Sequence, residues 1–142
     1  MTTFPLQQAI YDALNTDSAL ATLMGLSESP TDVPVFDGQA PNGQAMPYLI
    51  FGGGSLTTDD TKDADWSDQR VVINTYSDYR GYKEVRQIMD GVKAALHDQA
   101  LTVAGNTLVE LYLTHQDDFP EGDLDSLVRH GVQIFRAMTV EA

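Results

Sequence analysis

The sequence predicts an α+β fold, in which an antiparallel β-sheet packs on one long helix and is preceded by an N-terminal helix pair. Three observations lead to this class. Apolar residues recur at helical spacing in the first 25 residues, they do so again over residues 80–97, and β-branched runs lie on both sides of that second stretch. Helices and strands segregated along a chain are typical of α+β domains. The length of 142 residues fits a single domain over residues 1–142.

Two short helices are expected at the N-terminus. The apolar side chains of the first recur four residues apart at Leu6, Ile10 and Leu14. Residues with this spacing share one face of a helix. Thr16 or Asp17 is expected to cap the second helix, because its side-chain oxygen can accept from free backbone N–H groups. Gly25 would end that helix, since glycine readily adopts the left-handed conformation found after helix termini.

A long β-hairpin is expected after a proline-rich region. Residues 27–47 contain four prolines and leave room for a short strand at Val35-Phe36. Residues 48–51 form a short apolar run that predicts a buried strand, and residues 70–76 are rich in β-branched side chains. Because the intervening segment is polar, we expect an antiparallel hairpin with the acidic residues 57–68 at its tip.

The long helix is expected over residues 80–97. One apolar stripe at helical spacing runs along it, formed by Tyr82, Val85, Ile88, Met89, Val92 and Leu96. Ser77 or Asp78 is the expected N-terminal cap. Gly91 lies inside this helix, where glycine costs about 1 kcal/mol relative to alanine, so we expect it to mark a close packing contact.

Three strands are expected in the last third of the chain. Residues 101–103 and 107–115 flank Gly105-Asn106, a two-residue turn signal for a hairpin. An acidic loop over residues 117–125 then leads to a long final strand. The apolar side chains of that strand occupy alternate positions at Val128, Val132, Ile134, Met138 and Val140.

The charge is strongly acidic and unevenly placed. The formal net charge is −13, and two short segments, residues 57–68 and 117–125, carry −4 and −5 of it. Their acidic residues are Asp59, Asp60, Asp63, Asp65 and Asp68 in the first and Asp117, Asp118, Glu121, Asp123 and Asp125 in the second. This balance argues against wrapping DNA, which requires a surplus of Lys and Arg. The two segments are either solvated loops or one negative face of an assembly.

A search for reactive chemistry gives no enzyme, cofactor or metal prediction. The absence of cysteine excludes disulfides, thiolate zinc sites and thiol nucleophiles, and no phosphate-loop, dinucleotide or H-E-x-x-H motif is present. Asp63-Ala64-Asp65 begins like a calcium loop, but the required Gly and Glu are replaced by Asp68 and Asn74. No membrane span is expected, because no run of about 18 apolar residues is present. No secretory signal is expected either, since the first five residues are neither basic nor strongly apolar.

An ordered set of features resembles a known family. The helix pair is followed by Val35-Phe36-Asp37-Gly38 and Pro47-Tyr48-Leu49, then by the strand of residues 71–77 and the long helix. The chain ends with Arg129-His130-Gly131-Val132-Gln133-Ile134-Phe135-Arg136. In this order and at this length, the features resemble the tail terminator family (tail completion, or tail-to-head joining) of long-tailed bacteriophages and phage-like gene transfer agents.

The resemblance implies a structural virion protein without catalytic residues. Such a protein would form a homo-hexameric ring at the head–tail junction, where it would bind the major tail tube protein and a head-completion or neck protein (stopper or adaptor). DNA would pass through its channel without specific binding, and the chain would be made in the bacterial host cytoplasm. We expect at least one acidic segment to face the channel or the tube, and residues 55–68 to dock on the tube.

Two other classes of function remain open. One is a different neck or baseplate adaptor ring of a tailed virion, which the position in the particle would distinguish. The other is a small acidic module that binds cations or a basic partner, or that mimics DNA. A monomer or dimer that binds calcium or a basic protein would favour this second class.

Overall fold

The computed structural model describes residues 3–25, 33–58, 64–122 and 127–141 and confirms the α+β class. The helices are α1 (Thr3–Asn15), α2 (Ser18–Leu23) and α3 (Lys83–Leu96). The strands are β1 (Val35–Asp37), β2 (Tyr48–Phe51), β3 (Ser55–Thr58), β4 (Trp66–Ser77), β5 (Asn106–Pro120) and β6 (Arg129–Glu141). Across these ranges, no helix has the length and apolar character that a membrane crossing requires.

The strands form one sheet in the order β1-β2-β4-β6-β5, and β3 pairs with β4 beyond the end of β2. The β1–β2 pair is parallel and the other pairs are antiparallel. The predicted pairing of residues 48–51 with residues 70–76 is confirmed, since Tyr48 lies opposite Tyr76 and Phe51 opposite Ile73. Strands β4 and β6 pair along their whole length, from Trp66 opposite Val140 to Ser77 opposite Arg129.

The N-terminal helices form as their sequence pattern predicts. The side chains of Leu6, Ile10 and Leu14 are fully buried in the core on one side of α1. Asp17 caps α2, because its carboxylate accepts the backbone N–H of Leu20 at 2.8 Å. Residue 25 follows α2 with a φ of +80°, which glycine adopts without strain, so the predicted stop is confirmed.

Helix α3 carries the predicted apolar stripe but begins later than expected. The prediction that Ser77 or Asp78 caps it is wrong, because the chain first turns through Gly81 at a φ of +86°, and Tyr82 occupies the cap position. The hydroxyl of Ser77 instead donates to the carboxylate of Glu84 at 2.8 Å. The predicted close contact at Gly91 is confirmed, since a Cβ atom there would lie 2.8 Å from Leu23 Cδ1 on α2.

The acidic segments are partly strand, which corrects the prediction of two loops. Strand β3 includes residues 57–58 and β4 begins at Trp66, so Asp68 lies within the sheet. Strand β5 continues to Pro120 because β6 provides hydrogen-bonding partners along that whole stretch, and it includes Asp117 and Asp118. The strand predicted at residues 101–103 reduces to a single bridge between Val103 and Asn106.

The helices cover one face of the sheet, which we call the inner face. On β6 this face holds Gly131, Gln133, Phe135, Ala137 and Thr139, all of them buried. The alternating apolar residues singled out in the sequence, including Val132, Ile134, Met138 and Val140, lie on the opposite, outer face. Steric space, as well as polarity, favours this face for helix packing, because the missing side chain of Gly131 lets Met89 of α3 approach the sheet.

Candidate functional site

No described helix packs on the outer face, although much of that face is apolar. Side chains on alternate positions of β4 and β6 point to it, and their neighbours on β2 continue it. Its half-buried apolar and aromatic members on these strands are Tyr48, Ile50, Trp66, Val72, Tyr76, Val132, Ile134, Met138 and Val140. A solvated face of an antiparallel sheet normally carries polar residues. The outer face therefore has the composition of a contact surface.

A row of five rings crosses one end of the outer face, with one ring from each of five strands. In sheet order the rings are Phe36, Tyr48, Tyr76, His130 and Phe119. Successive ring centroids are 6.2, 5.4, 4.4 and 4.9 Å apart. Burial, together with the nearby Glu121 carboxylate, raises the pKa of the Tyr76 hydroxyl. The row makes this end of the outer face an aromatic surface.

The imidazole of His130 links an acidic residue to this row. Its Nδ1 atom lies 2.8 Å from Glu121 Oε2, and its Nε2 atom lies 2.7 Å from Asn74 Oδ1. The ring itself stacks on Tyr76. Glu121, although 49% exposed, is thereby held beside the aromatic row.

The centre of the outer face carries two arginines side by side. Arg70 on β4 lies directly opposite Arg136 on β6. Arg136 Nε contacts both carboxylate oxygens of Asp68, at 2.8 and 2.9 Å, and its Nη1 donates to the hydroxyl of Tyr112 at 3.0 Å. The guanidinium lowers the pKa of the Asp68 carboxyl. Arg70 is exposed and has no ionic partner within the ranges that the structure describes.

Asp118 has a structural partner on the helix side of the sheet. Its two carboxylate oxygens accept from Arg86 Nε at 2.7 Å and from Arg86 Nη2 at 3.0 Å. This bidentate contact lowers the pKa of Asp118 and ties β5 to α3. The Arg86 guanidinium also lies 4.7 Å from the centre of the Tyr82 ring.

The structure separates the two acidic segments. Asp65 is exposed just before β4, and its backbone oxygen accepts from Glu141 at 3.0 Å at the end of β6. Asp117 is exposed near the other end of the sheet. At about 3.3 Å per residue, the twelve residues of β4 place these ends about 36 Å apart. The remaining predicted site residues lie outside the described residues: Asp59, Asp60, Asp63, Asp123 and Asp125.

The described residues hold no cluster of candidate metal ligands. Nowhere in them do three or more His, Asp or Glu side chains converge as a metal-binding group. His97 Nδ1 accepts the backbone N–H of Leu113 at 2.9 Å, and His115 is exposed on β5. Sequence reasoning missed the aromatic row and the arginine pair. The aromatic row could have been suspected, because β4 and β6 carry apolar or aromatic residues at both odd and even positions and therefore on both faces of the sheet.

Comparison with known proteins identifies the family. Residues 8–140 match the family described as tail completion protein gp17. A chain of a solved structure described as the virion of a native gene transfer agent particle shares the fold, with a TM-score of 0.80, 24% identity, and coverage of 96% of this chain and 95% of that one. A second solved chain gives a TM-score of 0.55 at 15% identity, with coverage of 100% and 97%. No curated protein gives a significant match. The family match confirms the resemblance seen in the sequence, and the chain belongs to the tail completion protein gp17 family of structural proteins of phage and phage-like tails.

Proposed function

We propose that this chain forms a six-membered ring that ends the finished tail tube and joins the tail to the head or neck complex. The observation that carries the proposal is the separation of two acidic ends along one sheet, about 36 Å apart. A protein that joins two different structures needs two separate contact regions. Family membership supplies the setting, a virion tail.

The exposed acids have the role of docking on the tube or lining the channel. Asp68 and Asp118 already bind arginines within the chain, so the role falls mainly to Asp65 and Asp117, together with Glu121, which contacts His130 and is still 49% exposed. The remaining acids of both segments share it: Asp59, Asp60, Asp63, Asp123 and Asp125. The end near residues 55–68 meets the tail tube protein, and the other end meets a stopper or adaptor protein. Carboxylates in the channel repel DNA phosphates, so DNA passes without specific binding.

Loss of the protein from the producing particle tests this function directly. A deletion strain is expected to make tails of uncontrolled length that are not joined to heads, and the wild-type chain supplied in trans should restore both properties. Electron microscopy of the restored particles should show a six-fold ring at the head–tail junction. Joined tails of normal length in the deletion strain would refute the function, and a ring at the distal end would instead indicate a baseplate adaptor.

Neutralising one end tests the role of the acids. The Asp117→Asn and Glu121→Gln double variant is expected to lower the fraction of joined tails, because it removes two exposed carboxylates from the second end. Asp90→Asn is the matched control, since Asp90 is exposed on α3, away from both ends. Equal joining by the double variant and the control would exclude the role proposed for Asp117 and Glu121.

A further inference from the structure

None of the described helices covers the half-buried apolar residues of the outer face. A contiguous apolar patch on a protein surface marks an interaction site. We propose that the partner is helix α1 of a second copy of the same chain, which packs on the outer face and so links neighbouring copies head to tail. The inference rests on the ring proposed above and identifies the two surfaces that form its contacts.

The outer face offers a cation in apolar surroundings. Arg70 projects from its centre, with Val72 and Ile134 in the next row of the sheet. The neighbouring carboxylate of Asp68 already binds Arg136. Arg70 is therefore available for a carboxylate from another molecule, and the surrounding apolar groups would strengthen that contact by excluding water.

Helix α1 offers the complementary surface. Its exposed stripe consists of Phe4, Gln8 and Asp12, spaced four residues apart. Phe4 is 67% exposed, and Asp12 accepts from Gln8 Nε2 at 3.0 Å. Residues 1–56 contain no Lys or Arg, so no cation of this region competes for Asp12. The stripe thus combines a large apolar side chain with an unneutralised acid, as the outer face requires.

The spacing of the two surfaces agrees. Eight helical residues separate Phe4 from Asp12, which is about 12 Å along the helix axis. Four strand residues separate Trp66 from Arg70, which is about 13 Å along the strand. A pocket of about 270 Å³ lies at the Trp66 end, with Trp66 and Met138 among its lining residues. When Asp12 of one copy meets Arg70 of the next, Phe4 therefore reaches this pocket.

The two surfaces are different patches of the molecule. The α1 stripe is turned away from Leu6 and Ile10, which face the core, and the outer face is turned away from all three described helices. Two different patches of one chain make a heterologous contact, which produces a closed ring when the rotation between copies closes and an open filament when it does not.

Charge reversal tests the pairing in particles assembled by the deletion strain. Arg70→Glu alone and Asp12→Arg alone are each expected to abolish the ring and the joined tails, because each places like charges together. The double variant is expected to restore both. Matched controls are Arg80→Glu and Asp90→Arg, which make the same changes at exposed positions on the helix side. Rings formed by either single variant, or no recovery by the double variant, would overturn the pairing.

Cross-linking gives a second test that does not place like charges together. The chain has no cysteine, so Asp12→Cys combined with Arg70→Cys introduces the only two thiols. In assembled tails, a short thiol-to-thiol cross-linker should give a ladder of oligomers up to the size of the ring, and neither single variant should extend beyond a dimer. A visible ring without the ladder would refute the inference and leave the proposed function intact. Wild-type tails without any ring would refute the proposed function itself.

Discussion

Replacing Gly131 by alanine would test how closely α3 packs on the sheet. Gly131 lies on the inner face of β6, and an added Cβ atom would be 2.5 Å from Met89 Sδ and 3.2 Å from Val85 Cγ2. Both neighbouring side chains are buried, with Met89 only 1% exposed. The new methyl group therefore forces atoms of the core to move.

The expected cost combines two opposing effects. Adding one carbon to a packed core destabilises a protein by about 1–3 kcal/mol. Replacing glycine by alanine in a strand recovers about 0.5–1 kcal/mol, because the unfolded chain loses conformational freedom. The Met89 thioether is adaptable, which favours the lower part of the first range. We therefore expect Gly131→Ala to lower the free energy of unfolding by about 1 kcal/mol.

Urea denaturation followed by circular dichroism would measure this change. The midpoint should fall while the slope of the transition stays constant, because the surface exposed on unfolding is the same. Gly53→Ala is the matched control, since nothing lies within 4 Å of a Cβ atom there and the backbone is not left-handed. We expect the control to change the free energy of unfolding by less than about 0.5 kcal/mol.

A double variant separates crowding from other causes. Met89→Ala alone should cost about 2–5 kcal/mol because it leaves a cavity. The methyl group of Gly131→Ala would partly fill that cavity, so the double variant should be less destabilised than the sum of the single variants by about 0.5 kcal/mol or more. A Gly131→Ala midpoint equal to that of the wild type, or simple additivity in the double variant, would refute the packing argument.

Four further predictions concern caps, ion pairs, helix contacts and salt. Asp17→Ala should cost about 1 kcal/mol in urea denaturation, because the Leu20 N–H loses its acceptor, and an unchanged midpoint would exclude a capping role. Asp118→Asn should lower stability at neutral pH. Arg86 lowers the Asp118 pKa, so the stability difference between wild type and variant should shrink as the pH falls from the unfolded pKa of 3.8 through the lower folded pKa. Urea denaturation at a series of pH values would measure it, and a constant difference would show that the ion pair does not stabilise the fold. Gly91→Ala should separate α2 from α3 and increase amide hydrogen exchange in α2, despite the higher helix propensity of alanine. Raising the ionic strength should favour ring formation in sedimentation experiments, because salt screens the repulsion between copies that each carry a net charge of −13. Weaker assembly at high salt would contradict this and indicate that ion pairs dominate the contact between copies.

Helices and caps could be predicted from the sequence because their determinants are local. The four-residue spacing of Leu6, Ile10 and Leu14 identifies the buried side of α1 without knowledge of any partner. Asp17 acts on a backbone group three residues away, so its role also follows from sequence. The start of α3 was misplaced because Ser77, a good cap by residue type, is used by the nearby Glu84 instead.

The faces of the sheet could not be assigned from the sequence. Strand β6 carries apolar side chains on both of its faces, such as Ile134 on one and Phe135 on the other. Alternation alone therefore does not show which face packs against the helices. The choice depends on Gly131, which provides space for Met89, a residue more than forty positions earlier. Pairing with β6 likewise extends β5 through Asp117 and Asp118, although their residue type alone predicts a loop.

In the proposed ring, the location of the charge distinguishes the contacts between copies from the contacts with other tail proteins. Copies with a net charge of −13 repel one another, so they are expected to meet where the surface is least acidic. The centre of the outer face carries a local positive charge, because it holds Arg70 beside the neutralised pair of Arg136 and Asp68. Asp65 and Asp117 are exposed near the two ends of the sheet. End-to-end stacking of identical copies would bring these acids together, so in the proposed ring we expect the ends to meet partners that are less acidic than the chain itself.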